Sequence, residues 1–506
     1  MARSILQFIK IIFIGISVAQ TIATIHLYFS NSAYHKILSA VHEAGNLTVP
    51  NLSVMQHMKG FFPAFCGGLF FTATTGIFLT AIAFTAAWMW NHIFSRKLAP
   101  LLLIVTIWLT AFFIMNRRGI SPLITAYLLF IPCTVFPASL KLFKNHSKKP
   151  PFHAITLNVI LFIFFSLICA TQMKIERFLD IRDYLLLSNP LGEKINEFYY
   201  QNSLYAARAF KSYSQELFRT CGLQSIHNDH ARRQLYRLLI ERDYLPIENS
   251  IEPDLTIIMN GNELKLVNHD KTVLTISAES FINFPDRSLK QFEQKTDRHL
   301  IFRAFTMISM LFNGAAIAYL SIFIFPFFIF RLFFNSSASA ILSGGVCVFL
   351  LLILLLIWKS DKDTAFSPDT LAAVLISEKR SERITALRYI HGKKIDIFKF
   401  PAYKVILANG NVPERYWLAK SISGSHAKQS RETLMRLLDD PHFNVVCMAF
   451  YSMGMQGRKS DISIILGRIG TSNNWYEQWY AYKALRKLGW RQKISGQNPS
   501  LHPLHY

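Results

Sequence analysis

The sequence predicts a mainly α-helical integral membrane protein with about seven transmembrane helices, a small α+β soluble domain and a C-terminal α-solenoid. Three observations predict it. Seven long apolar runs carry almost no charge, the hydrophobic period switches from helical to alternating between the fifth and sixth runs, and the polar C-terminal stretch reads as four helical hairpins in a row. Charge follows the same partition. The 506-residue chain has a net charge of +23 and is 17% charged, against about 25% in soluble domains. Residues 1–173 hold 12 Lys/Arg and one acid, Glu43; residues 174–303 hold 18 of each sign; residues 304–358 hold only Arg331. Residues 359–506 hold 23 basic and 12 acidic residues, a net +11.

Crossing the hydrocarbon core takes about 20 apolar residues in a helix. The runs Ile11–Phe29, Phe61–Phe94, Leu98–Met115, Ile120–Leu140, Ala154–Met173, Ala304–Phe330 and Ala338–Trp358 meet that length. They divide the chain into a membrane region (1–173, five helices), a soluble α+β domain (174–303), two further helices (304–358), a linker (359–366), the helical hairpins (367–490) and a polar tail (491–506). The first run has Lys10 at its edge, placed to snorkel, and lacks a small-residue cleavage site, so it reads as an anchor. The second is long enough to tilt. The fourth contains Pro132 and Pro137, which predicts a kink or early unwinding. In the second run, Gly68, Thr72, Gly76 and Thr80 recur at four-residue spacing, a face of small residues that lets helices pack closely.

Loop charge sets the expected orientation. Arg96, Lys97, Lys141, Lys144, Lys148, Lys149 and Arg331 fall on the side of the N-terminus; Lys36, Lys59, Arg117 and Arg118 fall on the other. The positive-inside rule makes the first set cytoplasmic. Two runs separate the middle domain from the tail, so both soluble parts share one side. That side is expected to be extracytoplasmic, at a bacterial inner membrane, although the flanks of both parts are themselves basic.

The middle domain begins with an amphipathic stretch, Ile175–Leu187, broken at Ser188-Asn189-Pro190. Glu193–Phe218 and Ala231–Arg242 carry apolar residues at helical spacing. The period then changes. Leu255–Met259, Glu263–Asn268 and Thr272–Ile276 read as strands, and Asn260-Gly261 between the first two is a strong hairpin signal. Ser277–Phe292 returns toward the sixth run with a helix near its end.

The tail contains four helix pairs: Asp369–Ile376 with Glu382–Ile390, Pro401–Ala408 with Pro413–Ile422, Arg431–Leu438 with Pro441–Met453, and Asp461–Ile469 with Trp475–Leu488. They close at Gly392, Gly424, Gly454 and Gly489, each expected to take positive φ. Each second helix has a compact residue near its middle, Ala386, Ala419, Ala449 or Ala484. This pattern over residues 367–490 resembles HEAT-like helical repeats of the short bacterial type, best in "DDPHFNVVCMAFYSMG" and "NNWYEQWYAYKALRKLG". The resemblance implies a protein-binding solenoid with no catalytic residue. Stacked units share one core and present an extended surface.

The last pair supplies the candidate partner-binding residues Trp475, Tyr476, Trp479, Tyr480, Arg486, Lys487 and Trp490, residue types that dominate binding hot spots and also pack terminal units. Catalytic signatures are missing. There is no phosphate loop, HExxH or GxSxG. His391 and Asp396 have an HxxxxD spacing across a turn, and His227, Asp229 and His230 share a loop; neither set is aimed as a site. The six cysteines form no CxxC, so neither a disulfide framework nor a zinc centre is expected. Asn46-Leu47-Thr48 and Asn51-Leu52-Ser53 match glycosylation acceptors. The central parts of the runs lack Asp, Glu, Lys and Arg, which speaks against an ion or proton path; Asn158 and Asn313 are expected to hydrogen-bond to neighbouring helices. The reading is a non-enzymatic scaffold or binding subunit that recruits a protein through the repeats, with no cofactor and no metal. The bilayer is a partner, and anionic lipid is a candidate partner of the basic tail. Nucleic acid is not expected. The alternative is a non-catalytic subunit of a membrane transporter complex, or, less favoured, a membrane enzyme acting on lipid or envelope polymer.

Overall fold

The computed structural model describes residues 2–144, 152–172, 175–223, 225–247, 251–360 and 366–492. The chain divides into two compact units. One comprises residues 1–28, 64–180 and 298–365, the other residues 29–63, 181–297 and 366–506. Each is taken separately.

Among the described residues seven helices are long and apolar enough to cross a membrane: Ile9–Glu43, Phe61–His92, Leu98–Asn116, Pro122–Phe143, His153–Gln172, Leu300–Phe330 and Ser336–Leu355, here spans 1 to 7. They mark an integral membrane protein. Span 1 belongs to a helix, Ala2–Glu43, that continues past the apolar run because residues 30–43 still bury Leu38, Ala40 and Val41 on one side. Span 4 runs as one helix through Pro132 and Pro137, without the early unwinding the sequence predicted. Pro132 has no N–H to give the Leu128 carbonyl, and the Trp108 indole donates to that oxygen at 2.7 Å. Span 2 is interrupted by a π-helical turn, Thr72–Gly76. Such a turn frees backbone carbonyls, which in hydrocarbon need a partner. The Asn313 amide of span 6 donates to Ala73 O at 2.9 Å and Thr74 O at 2.7 Å, so this residue does bond to a neighbouring helix.

The second unit starts with α1 (Leu52–Gln56), a short turn capped by the Asn51 side chain. A π-helical turn, Ile181–Leu186, precedes α2 (Pro190–Ala207), which Asn189 caps. Here the sequence reading of Glu193–Phe218 as one helix is corrected. The helix stops at Ala207, and the chain continues through a 3-10 turn at Tyr213–Gln215 into β1 (Arg219–Gly222). Next come α3 (Asp229–Ile240), β2 (Tyr244–Pro246), β3 (Leu255–Asn260), β4 (Glu263–Asn268), β5 (Lys271–Ser277), α4 (Ala278–Asn283) and α5 (Pro285–Thr296). The sheet order is β2-β1-β3-β4-β5. The β3–β4–β5 meander is antiparallel, whereas β1 pairs in parallel with both β2 and β3. Gly261 takes φ +58° at the first loop position of one hairpin; in the other, both loop residues His269 and Asp270 have positive φ, 44° and 58°, as a type I′ turn requires. Leu239, Leu255, Ile257, Leu264, Leu266, Phe281 and Phe292 form the core between sheet and helices.

The remainder is a series of short packed helices: α6 (Pro368–Leu375), α7 (Arg380–Lys393), α8 (Ala402–Asn409), α9 (Val412–Ser421), α10 (Gln429–Leu438), α11 (Phe443–Gln456), α12 (Ile462–Thr471) and α13 (Trp475–Lys487). α7, α9, α11 and α13 stack on one another in chain order. Ala386, Ala419, Ala449 and Ala484 are all buried between them. Ser421 Oγ donates to Leu387 O at 3.1 Å and Ser452 Oγ to Ala419 O at 2.6 Å, each tying one helix to the one before. Of the four closing glycines only Gly489 takes positive φ, +85°. Gly392 lies inside α7, which ends at Lys394 (φ 54°), Gly424 closes a 3-10 turn, and Gly454 lies inside α11, which ends at Gly457 (φ 73°). Gly454 serves packing instead: a Cβ there would lie 2.9 Å from Ala484 Cα.

Candidate functional site

Most of the chemistry-bearing side chains of the second unit converge on the α7–α9–α11–α13 stack. Asp183, from the π-helical turn, is fully buried against it. Its carboxylate accepts from Arg182 Nε at 2.8 Å, Arg388 Nη2 at 2.5 Å and the Trp417 indole at 2.7 Å. Arg380 donates to the backbone carbonyls of Asp183 and Leu187, both at 3.0 Å. The Arg182 guanidinium lies 3.8 Å from the Tyr416 ring centroid. A buried charge needs this many partners. The sequence marked Arg182 only as a basic flank, because its carboxylate's partners lie about 200 positions away in the chain.

The last helix pair is held by three other segments. The Asn51 amide donates to Ile469 O, Gly470 O and Ser472 O at 2.9, 3.1 and 3.0 Å, closing the C-terminal carbonyls of α12. Its backbone N–H donates to Gln478 at 2.8 Å. Gln492 makes a two-way bond with the Leu47 backbone at 3.0 and 2.8 Å. Asn46 and Asn51 are both buried, so in this fold neither acceptor motif presents a free amide for glycosylation.

The candidate partner-binding residues occupy distinct places. Trp475 is buried and its indole donates to Tyr200 O at 2.7 Å. Tyr476 packs on the Tyr200 ring at 4.5 Å and stacks with Trp479 at 5.6 Å. Tyr480 is half-buried edge-on to Trp479. Arg486 pairs with Asp243 at 3.0 Å and donates to Glu241 O at 2.7 Å, while Trp490 lies edge-on to Tyr482. Lys487 is exposed, with its ammonium 5.5 Å from the Tyr451 ring. Trp475, Tyr476, Arg486 and Trp490 thus pack within this unit, and Trp479, Tyr480 and Lys487 retain surface.

That surface continues across the stack. His391 of α7 lies 6.5 Å from the Tyr451 ring of α11, and the Lys420 ammonium of α9 lies 4.7 Å from Trp417. On α13 the exposed Lys483 lies 3.4 Å from the Trp479 ring. Among the described residues no carboxylate lies within 4 Å of Lys420, Lys483 or Lys487. Burial, then Arg182 and Arg388, lower the Lys420 pKa; burial, then Lys211 and Lys487, lower that of Lys483; burial and Lys420 lower that of His391. Like charges are crowded here on aromatic faces, which attract cations.

Beside it opens a small pocket with a cavity volume of about 40 Å³, lined by Tyr34, Leu204, Arg208, Lys211, Glu216, Trp475 and Trp479. Arg208 grips Glu216 through two bonds of 2.7 and 2.6 Å and reaches Asp254 at 3.0 Å. Burial pushes the Glu216 carboxyl up to about 7, Arg208 opposing. Burial lowers the Lys211 pKa, with Glu216 opposing.

In the membrane unit, Gly68, Thr72, Gly76 and Thr80 face span 1. A Cβ on Gly76 would lie 2.6 Å from Ala19 Cβ and one on Gly68 3.3 Å from Ala23 Cβ; Thr72 donates to Gln20 at 2.8 Å, and Gly15 abuts Thr80. A lateral groove of about 1240 Å³ between spans 5, 6 and 7 is lined by Phe162, Tyr319, Phe323 and other apolar side chains, with Asn158 and Ser336 among them. All six cysteines are unpaired. Among the described residues no three His, Cys, Asp or Glu side chains are grouped to hold a metal. No protein-family model, curated protein or solved structure matches this chain.

Proposed function

We propose that this protein is a membrane-anchored binding subunit that recruits a protein partner through its C-terminal helices, which we read as HEAT-like repeats. The observation that carries the reading is the open face made by His391, Lys420, Tyr451, Lys483 and Lys487 on consecutive second helices. Stacked helix pairs present such faces as extended binding surfaces, and unpaired lysines on aromatic rings are matched by a partner of opposite charge. Topology supports a single outward-facing body. Four spans lie between residues 63 and 181 and two between 297 and 366. Even numbers return the chain to the same side, so all three segments of the second unit share it. The nine Lys/Arg of the opposite side, Arg3 and Lys10 included, carry no acid among them, which by the positive-inside rule supports a cytoplasmic place for that side and an extracytoplasmic one for the second unit. The second reading, a non-catalytic subunit of a transporter complex, is favoured by the lateral groove, which offers apolar surface of spans 5, 6 and 7 to another chain.

The test is site-specific photo-crosslinking in the intact protein, in its own membrane. A photo-reactive residue at Tyr451 is expected to capture one protein, and the same residue at Glu432 on α10 none. Equal yields at both positions, or none at either, would overturn the reading. Capture from Ala154 or Ser337 in the groove would favour the transporter-subunit reading.

A further inference from the structure

The open face and the adjoining pocket share one chemistry. The carboxylate that lines the pocket is engaged: Glu216 takes two bonds from Arg208, which also reaches Asp254 outside the lining, and Asp254 accepts from the Thr220 backbone and hydroxyl at 2.9 Å each. The Lys211 ammonium is not matched in this way; among the described residues it has no carboxylate within 4 Å. Trp479 lines the pocket with Lys211, and the Lys483 ammonium lies 3.4 Å from its ring, so the two like charges repel. A half-buried ammonium next to a second one is a costly arrangement that an anion relieves. Leu204, Leu217, Trp475 and Trp479 make part of the wall apolar. The entering group therefore combines a charge with a hydrocarbon stem. Glu216 lines the same pocket, so a singly charged group is repelled less than a doubly charged phosphate.

We propose that the pocket beside Trp479 takes a carboxylate side chain from an acidic segment of the partner protein, with Lys211 and Lys483 as its counter-charges. This rests on the binding-subunit reading above and names the partner's chemistry. The rest of the segment lies along the face, where Lys487 on α13, Lys420 on α9 and His391 on α7 follow, with Tyr451 of α11 between the two lysines. Stacked helices are spaced about 8–10 Å apart, and an extended strand advances about 3.3 Å per residue. Two helix spacings separate Lys487 from Lys420, so acids about five to six residues apart meet α13 and α9. Glu216 is faced by Arg208 at the end of α2, Lys211 in the following turn, Arg219 on β1 and Asp254 before β3.

The experiment uses the intact protein in detergent micelles and a fluorescein-labelled acetyl-hexaglutamate peptide, read by anisotropy, with acetyl-hexaglutamine as the neutral control. Saturable binding of the acidic peptide alone is expected, weakening with salt. Lys211→Gln should weaken it about tenfold and Lys483→Gln about threefold, with unchanged near-ultraviolet circular dichroism showing that both variants are folded. Absence of saturable hexaglutamate binding, or binding that both variants keep, would overturn the proposal. So would lysine-dependent binding to phosphatidylglycerol vesicles without binding to the peptide, which would make the face a lipid contact. Crosslinking from Tyr451 that persists in a Lys211→Gln/Lys483→Gln protein would remove the proposed chemistry and leave the binding-subunit reading standing.

Discussion

Adding one methyl group at each of two glycines should move stability in opposite directions. Gly454 lies within α11 where it crosses α13, and a Cβ there would sit 2.9 Å from Ala484 Cα and 3.1 Å from Ala484 Cβ. Carbon atoms in comfortable contact are about 3.5–4.0 Å apart, so Gly454→Ala must part the two helices by roughly 0.6 Å or more. Ala484 is backbone and Cβ only and has no flexible end to yield. Overpacking of this kind costs about 1–3 kcal/mol, and the better helix propensity of alanine returns about 1 kcal/mol. The net is a loss of up to about 2 kcal/mol. Gly467 is exposed within α12 and has nothing within 4 Å of a Cβ, so Gly467→Ala keeps only the propensity gain of about 1 kcal/mol. Thermal unfolding of the solubilised intact protein, followed by tryptophan fluorescence, reads both. The Gly454 variant is expected to melt about 2–4 °C lower and the Gly467 variant slightly higher. If both rise together, α11 and α13 do not approach as described and the stack is wrongly assembled.

Three further outcomes follow from buried polar groups. Asp183→Ala leaves Arg182 and Arg388 without their carboxylate and should cost about 3 kcal/mol or more, read as faster proteolysis of the intact protein; wild-type resistance would show that the anchor contributes nothing. Asn51→Ala strips three carbonyls at the end of α12 of their donor and should cost about 1–3 kcal/mol, read as increased hydrogen exchange in residues 466–475; unchanged exchange there would reject the capping role. Glu216 titrates near 7 when folded, against 4.5 for an ordinary solvated glutamate, so the folded state holds a proton the unfolded chain releases. Its stabilising contribution is complete below about pH 4.5 and is lost as pH rises through about 7. The melting temperature of Glu216→Gln minus wild type should therefore grow from pH 5 to pH 8, and a constant difference would refute the burial of that carboxyl.

Legibility followed the range of the interaction. All seven spans were visible as apolar runs, because hydrocarbon imposes a minimum length that composition alone reveals. The meander was visible because alternation and Asn260-Gly261 are local signals. β1 and β2 were not, since strands of four and three residues have too few positions to alternate. The helix pairs were readable from period, but the role of their glycines was not. Gly489 obeys the turn rule, whereas Gly454 is small because Ala484 is close, a fact about a neighbour 30 positions away. The same limit hid the candidate site. Trp479 and Lys487 could be singled out by residue type, yet Asp183, Asn51, Tyr200 and Arg208 carry no local mark. Each matters through partners brought together only by folding.

Those long-range partners lead to a last expectation, that residues 366–492 expressed alone will not form the fold they have in the intact chain. Four of their stabilising contacts come from elsewhere in the second unit: Asp183 to Arg388 and Trp417, Asn51 to the end of α12, Tyr200 to Trp475 and Tyr476, and Asp243 to Tyr482 and Arg486. Exposing Trp475, Tyr476 and Trp417 forfeits about 1.5–3 kcal/mol for each large side chain returned to water. Leaving Arg388 and the Tyr482 hydroxyl without partners adds the desolvation cost of groups still partly enclosed. The sum is comparable to the whole stability of a domain, about 5–15 kcal/mol. The isolated segment is expected to keep far-ultraviolet helicity while losing near-ultraviolet signal and binding a hydrophobic dye, the marks of a chain with secondary structure but no fixed packing. A monodisperse segment with a cooperative melt and a native near-ultraviolet spectrum would show that the helix pairs are self-sufficient. The contacts to Asp183, Asn51, Tyr200 and Asp243 would then be incidental to their stability. The same result would weaken the claim that the face left open on α7, α9, α11 and α13 is the part of the array reserved for another molecule.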